Sequence, residues 1–177
     1  MSHTLVLGGQ RSGKSRHAEQ LVLASGKPSV YIATATAGDG EMAERIRQHR
    51  DRRGVAWQTV EEPLDLPGAL LRAAGPGTAV LVDCLTLWLT NLIAADRSLD
   101  TDMEGLTAAL AEVKGQVVIV TNEVGSGIIP DNALARRFAD ALGTLNQRVA
   151  AAVDRVVLVA AGIPLVVKSP EREREML

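Results

Sequence analysis

The chain has 177 residues and a formal net charge of −2, so it carries no global basic field of the kind that recruits nucleic acid or an anionic membrane. Cys84 is its single cysteine, which excludes an intrachain disulfide and any multi-cysteine metal site and fits a reducing compartment. Hydrophobic residues make up 46% of the chain but aromatic ones only 2%, so Ala, Val and Leu must fill the interior. That balance suits a sheet of small branched residues covered by helices.

From the amino end, Thr4–Leu7 is an apolar strand, entered at His3 without the basic-then-apolar pattern of a signal peptide. Residues 8–15 follow as Gly-Gly-Gln-Arg-Ser-Gly-Lys-Ser and open a helix over Lys14–Ala24. A strand at Ser29–Ala33, a small-residue loop over Thr34–Gly40 and an Arg-rich helix over Glu41–Arg53 come next. Further helices are expected at Leu64–Ala73, Leu85–Ala94, Asp102–Val113 and Ala133–Val153. Further strands are expected at Ala79–Val82, Val117–Val120 and Val156–Ala160. Ser169–Leu177 alternates Glu and Arg and reads as a solvated end. Strand–helix alternation with strands apolar throughout predicts an α/β fold: a mainly parallel sheet, right-handed crossovers and helices on both faces. There is no repeat, linker or low-complexity stretch, so residues 1–177 are expected to form a single domain. The longest apolar runs, such as Val156–Ile163, are too short to span a bilayer, and a cytoplasmic location is expected.

Loops at the carboxyl ends of parallel strands are where ligands bind, and three of them carry chemistry. The first has the spacing G-x-x-x-x-G-K-[ST] at Gly8, Gly13, Lys14 and Ser15, with Gly9, Gln10, Arg11 and Ser12 between. Glycines let backbone N–H groups wrap phosphate oxygens, Lys14 reaches the β/γ-phosphates, Ser15 offers a hydroxyl to Mg²⁺, and the helix dipole adds to the pull. The strand before and helix after are the context this motif requires. The second is Val80–Asp83, an apolar strand ending in a carboxylate: either an acid for Mg²⁺ or a nucleotide hydroxyl, or the N-cap of the helix that follows. The third is Thr121–Pro130, where Asn122 and Glu123 either contact substrate or serve the turn.

Glu41–Arg53 is the least ordinary segment. It holds five of the 19 Lys plus Arg residues, and Met42, Ile46, His49 and Arg53 share one face if the segment is helical. His49 is either incidental on a solvated basic helix or an imidazole beside an anion site made by Arg50, Arg52 and Arg53. His3 and His17 read as structural or exposed, and Trp57 and Trp88 as core or interface residues.

Together these stretches resemble one family, the bifunctional adenosylcobinamide kinase/adenosylcobinamide-phosphate guanylyltransferases of cobalamin biosynthesis. The resemblance runs through residues 7–16, 31–34, 41–49, 82–92, 121–130 and 146–147 in family order, and the Ile-x-x-His and Asn-Glu-Val-Gly segments make it specific. It implies a P-loop NTPase fold similar to RecA and assembly as a homotrimer. The implied activity has two steps: ATP or GTP phosphorylates the aminopropanol hydroxyl of adenosylcobinamide, then GMP is transferred from GTP through a covalent histidine to give adenosylcobinamide-GDP. The nucleophile maps onto His49. GTP-contacting positions map onto Gly8–Ser15, onto Thr34, Ala35 and Thr36, onto Arg50, Asp51, Arg52 and Arg53, and onto Glu61 and Asp83. Two other readings compete: a P-loop small-molecule kinase without guanylyl transfer, and a RecA-like ATPase module that binds a macromolecule. The low charge and the lack of an aromatic stacking platform weigh against the second.

Overall fold

The computed structural model describes residues 2–36 and 57–170. In chain order the elements are β1 (Thr4–Gly8), α1 (Lys14–Leu23), β2 (Ser29–Ala33), β3 (Trp57–Glu61), α2 (Leu66–Ala73), β4 (Ala79–Asp83), α3 (Leu85–Ala94), α4 (Leu99–Glu112), β5 (Gln116–Asn122), α5 (Ala133–Ala152), β6 (Arg155–Ala160) and β7 (Ile163–Lys168). The seven strands form one sheet in the order β3-β2-β4-β5-β1-β6-β7, parallel except for the β6–β7 pair.

Alternation along the strands sorts the core into two layers. Leu5, Ile32, Val80, Val82, Val117 and Ile119 point to a cluster completed by α2, α3, α4 and α5. Their neighbours Val6, Tyr31, Leu81, Val118 and Val120 point to the other face, where α1 contributes Ala18 and Val22. Because both faces are covered, the central strands show no polar alternation, which is why they read as continuous apolar runs. Trp88 is wholly buried, and its indole N–H donates to the Leu64 carbonyl at 2.8 Å, so the one polar atom of the largest core side chain is satisfied.

Five of the six expected helices lie within the described residues; α1, α3 and α5 start where expected, and two starts are shifted. α2 begins at Leu66 rather than Leu64, because the Asp65 carboxylate caps it through the Gly68 N–H at 3.0 Å and Pro67 follows in the first turn. α4 begins at Leu99 rather than Asp102, and Asp102, buried in its first turn, pairs with Arg97 at 2.7 Å. The Arg-rich helix expected at 41–53, including His49, lies outside the described residues, as do residues 37–40 of the small-residue loop.

Two strands were not expected, and both are sheet edges. β3, half-exposed along most of its length, pairs among the described residues only with β2. β7 carries Pro164, which a central strand would not tolerate but an edge strand does. It folds back on β6 through Ala161 (φ 51°) and Gly162 (φ 81°), the pair of positive φ angles that a two-residue hairpin turn needs. Lys168 at its end donates to the carbonyls of Ala150, Ala151 and Val153, closing the C-terminal turn of α5 with a positive charge. Ser169 is buried, so the solvated tail does not begin there as expected; residues 171–177 lie outside the described residues.

Candidate functional site

The register of the parallel strands brings the sequence-predicted loops to one edge. Gly8 pairs with Asn122, Val120 with Asp83, Asp83 with Ala33, and Ala33 with Glu61. The ends of β1, β5, β4, β2 and β3 therefore form a row. Gly8 and Asp83 stand on either side of β5, two strand spacings of about 4.8 Å apart and two residues out of step, since their β5 partners are Asn122 and Val120. Residues 8–15, Thr34–Thr36, Glu61 and Asp83 all sit on this carboxyl edge. His49, Arg50, Asp51, Arg52 and Arg53 lie outside the described residues.

The loop after β1 is a tight, backbone-built cradle. The Ser12 N–H donates to the Gly9 carbonyl at 3.2 Å, and Lys14 Nζ crosses the loop to the same carbonyl at 3.1 Å. Arg11 (φ 56°) and Gly13 (φ 95°) take the left-handed conformation that turns the chain into α1. Gly13 is the N-cap of α1 and makes no side-chain cap bond, so the helix opens with bare N–H groups and its positive dipole end. A Cβ on Gly8 would meet the Ser12 hydroxyl and, at 2.6 Å, the Val159 carbonyl, so only glycine fits there. The β6–β7 turn braces the loop from behind: the Gly162 N–H donates to the Ser12 carbonyl at 2.9 Å. On the other side the Glu123 N–H donates to the Gly8 carbonyl at 3.2 Å.

Burial pushes Lys14 below its ordinary pKa, and Cys84 and then Asp83 oppose that shift. Burial also pushes the adjacent Cys84 thiol up to about 12, with the Asp83 charge as the second cause. Cys84 is therefore a neutral thiol at physiological pH. The Tyr31 hydroxyl donates to Asp83 Oδ2 at 3.1 Å and fixes the carboxylate at the strand end. The N-cap of α3 is Cys84, not Asp83, and it makes no side-chain cap bond. The capping reading of Asp83 thus gives way to one in which its carboxylate faces the cradle.

Among the other predicted positions, Thr34 is wholly buried. Its hydroxyl donates to the Cys84 carbonyl at 2.7 Å and accepts from the Cys84 N–H at 2.8 Å. Its carbonyl accepts from Asn91 Nδ2 at 2.7 Å, and its N–H donates to the Asp83 carbonyl at 3.3 Å. Thr34 therefore clamps β2 to the start of α3. Thr36 is exposed and donates to Asn91 Oδ1 at 3.4 Å. Glu123 Oε1 accepts from the Gly125 N–H and the Ser126 hydroxyl, which is turn chemistry, while its backbone holds the cradle.

Sequence reasoning left Asn146 without a role. Buried on α5, it accepts from the Thr121 hydroxyl at 2.8 Å and donates to the Asn122 carbonyl at 3.1 Å, fixing the end of β5 between the cradle and Asp83. An Asn on an otherwise apolar helical face was the available signal. Among the described residues no group of three or more His, Cys, Asp or Glu could hold a metal ion. One hydroxyl (Ser15) and one carboxylate (Asp83) beside a phosphate cradle fit Mg²⁺, which keeps several waters and takes the remaining oxygens from phosphate. No described helix is long and apolar enough to cross a membrane.

Known proteins with similar folds and sequences fit this geometry. The flagellar accessory protein FlaH from Methanocaldococcus jannaschii superposes with a TM-score of 0.51 at 12% identity, covering 95% of this chain and 78% of that one, which speaks to the RecA-like P-loop fold alone. The bifunctional adenosylcobalamin biosynthesis protein CobP of Pseudomonas aeruginosa is 49% identical over 93% of this chain and 96% of its own. The corresponding CobU of Salmonella typhimurium is 43% identical over 93% of this chain and 98% of its own. The family model described as cobinamide kinase / cobinamide phosphate guanyltransferase matches residues 4–167, and the chain belongs to that family of enzymes.

Proposed function

We propose that this chain phosphorylates adenosylcobinamide with ATP or GTP and then joins GMP from GTP to the product, giving adenosylcobinamide-GDP. The observation that carries the reading is the phosphate cradle at residues 8–15, aligned with Asp83 on one sheet edge, in a chain of the cobinamide kinase family. In the first step the acceptor hydroxyl oxygen attacks the γ-phosphorus, the nucleoside diphosphate leaves, and the hydroxyl proton passes to solvent or a nearby base. Backbone N–H groups of the loop other than that of Ser12, which bonds Gly9, and the Lys14 ammonium hold the β- and γ-phosphates, so that charge moving toward the leaving group meets fixed dipoles. Ser15 and Asp83 would hold Mg²⁺, which neutralises phosphate charge when bound. Thr34 acts through the clamp it makes, positioning Ala35 and Thr36 rather than touching nucleotide with its own hydroxyl.

In the second step a neutral His49 imidazole attacks the α-phosphorus of GTP and pyrophosphate leaves. The phosphate of the phosphorylated acceptor then displaces the histidine from the guanylyl phosphorus. Arg50, Arg52 and Arg53 flank the nucleophile and stabilise the departing pyrophosphate, with Asp51 and Glu61 as further nucleotide contacts. The reading includes a single domain, a homotrimer and a cytoplasmic location.

The test uses GTP labelled at the α-phosphorus, followed by denaturing electrophoresis. The wild-type chain should carry a label that acid removes and alkali spares, as a phosphorus–nitrogen bond requires. His49→Ala should lose the label while retaining phosphorylation of cobinamide. Label on His49→Ala, or a wild-type adduct carrying only the γ-phosphoryl, would overturn the guanylyl-histidine step.

A further inference from the structure

An apolar groove opens on the same sheet edge as the phosphate cradle. It encloses about 540 Å³ and is lined by Thr90 and Ile93 of α3, Val124 and Pro130 of the β5–α5 loop, and Leu134 and Phe138 of α5. Among the described residues no charged side chain lines it. Large aliphatic side chains are exposed in and around it: Val124 at 42%, Leu134 at 65%, Ile128 at 97% and Ile129 at 80%. Apolar exposure gathered in one place, rather than scattered singly, marks a surface with something to bind. The wall is built. Arg136 Nη1 donates to the carbonyls of Pro130 and Asp131 at 2.9 and 2.7 Å, and Asn132 caps α5 through the Ala135 N–H at 2.7 Å.

We propose that this groove seats the corrin body of the cobinamide acceptor, an assignment that rests on the kinase reading above. Two properties select this occupant. The groove is neutral, apolar and open to solvent, which suits the methyl groups of a corrin while its amide side chains stay hydrated, and offers nothing to a nucleotide phosphate. Two of its lining residues are also chain neighbours of residues that hold the cradle and its flank. Val124 directly follows Glu123, whose N–H holds the Gly8 carbonyl, and Thr90 precedes Asn91, which holds Thr34 and Thr36. A macrocycle seated there has the cradle within reach of its flexible aminopropanol arm, so its hydroxyl is delivered to the γ-phosphorus while the ring stays clear of the phosphates.

The test measures steady-state phosphorylation of cobinamide by the full chain, together with equilibrium dialysis of cobinamide read by its visible absorbance. Leu134→Asp and Val124→Asp put a charge at the exposed rim without removing a core side chain. Each should raise the KM for cobinamide at least tenfold and leave the KM for the nucleotide within twofold. Leu71→Asp, an equally apolar surface site away from the groove, should change neither. If the wild type turns over cobinamide and both rim variants keep its KM, the groove assignment fails and the kinase reading stands. A parallel rise in both KM values, or a drop in molecular mass by light scattering with cobinamide binding retained, would show that the groove serves the cradle loop or a second copy of the chain. Either result overturns the assignment. A wild-type chain that neither binds nor phosphorylates cobinamide overturns the kinase reading itself.

Discussion

The phosphate cradle and the apolar groove share one edge of the sheet and are made in opposite ways. The cradle is eight consecutive residues whose backbone does the binding, so its polar groups are local in sequence and its glycines are set by close approach. The groove collects side chains from positions 90 to 139, and none of its members is distinctive alone. A charged ligand is met by dipoles that must stay in place, and those are braced directly by Gly162 and Glu123, while Asn146 holds the end of β5 beside them. An apolar body needs only area and shape. The cradle should therefore be sensitive to single changes in its bracing, whereas the groove should respond chiefly to added charge.

The sharpest break in that contrast is Lys14→Ala. Charged hydrogen bonds to phosphate contribute about 1.5–3 kcal/mol each, so GTP affinity in a titration should fall roughly tenfold to a hundredfold, with both activities lost. Unchanged affinity in a folded Lys14→Ala protein would end the cradle's claim on phosphate.

Next is Asn146→Ala, which leaves the Thr121 hydroxyl and the Asn122 carbonyl without their buried partner. Urea unfolding should show a loss of about 1–3 kcal/mol, and nucleotide KM should rise with it because the end of β5 borders the cradle. A stability loss with nucleotide KM untouched would show that the bracing and the phosphate grip are independent.

The smallest effect concerns pH. Burial holds His17 below its ordinary pKa of 6.5, and the neighbouring Arg155 lowers it further. The unfolded chain then binds more protons than the folded one as pH drops through 6.5, so stability present above that value is lost toward the lower folded pKa. His17→Gln should make the melting temperature fall less steeply between pH 7 and pH 5. An identical slope would remove His17 from the acid response. The imidazole of His3, also lowered by burial though opposed by Asp154, would then be the group to replace.

The amino-acid sequence by itself determined the parallel α/β plan, the cradle and the family, because each rests on contiguous residues. Doubly buried strands announce themselves as apolar runs, and the spacing from Gly8 to Ser15 is fixed by backbone geometry. It did not reveal β3 or β7, since an edge strand is covered on fewer sides and its residues carry mixed polarity or even a proline. Nor could residue types choose between an Asp83 that caps a helix and one that closes a strand beside the loop of residues 8–15. That choice depends on which strand ends stand side by side. Only the tertiary structure decided that β5 lies between β1 and β4, that Asn146 reaches across to hold it, and that side chains far apart in the chain meet in one groove. Long-range packing sets such neighbours, and no local pattern encodes them.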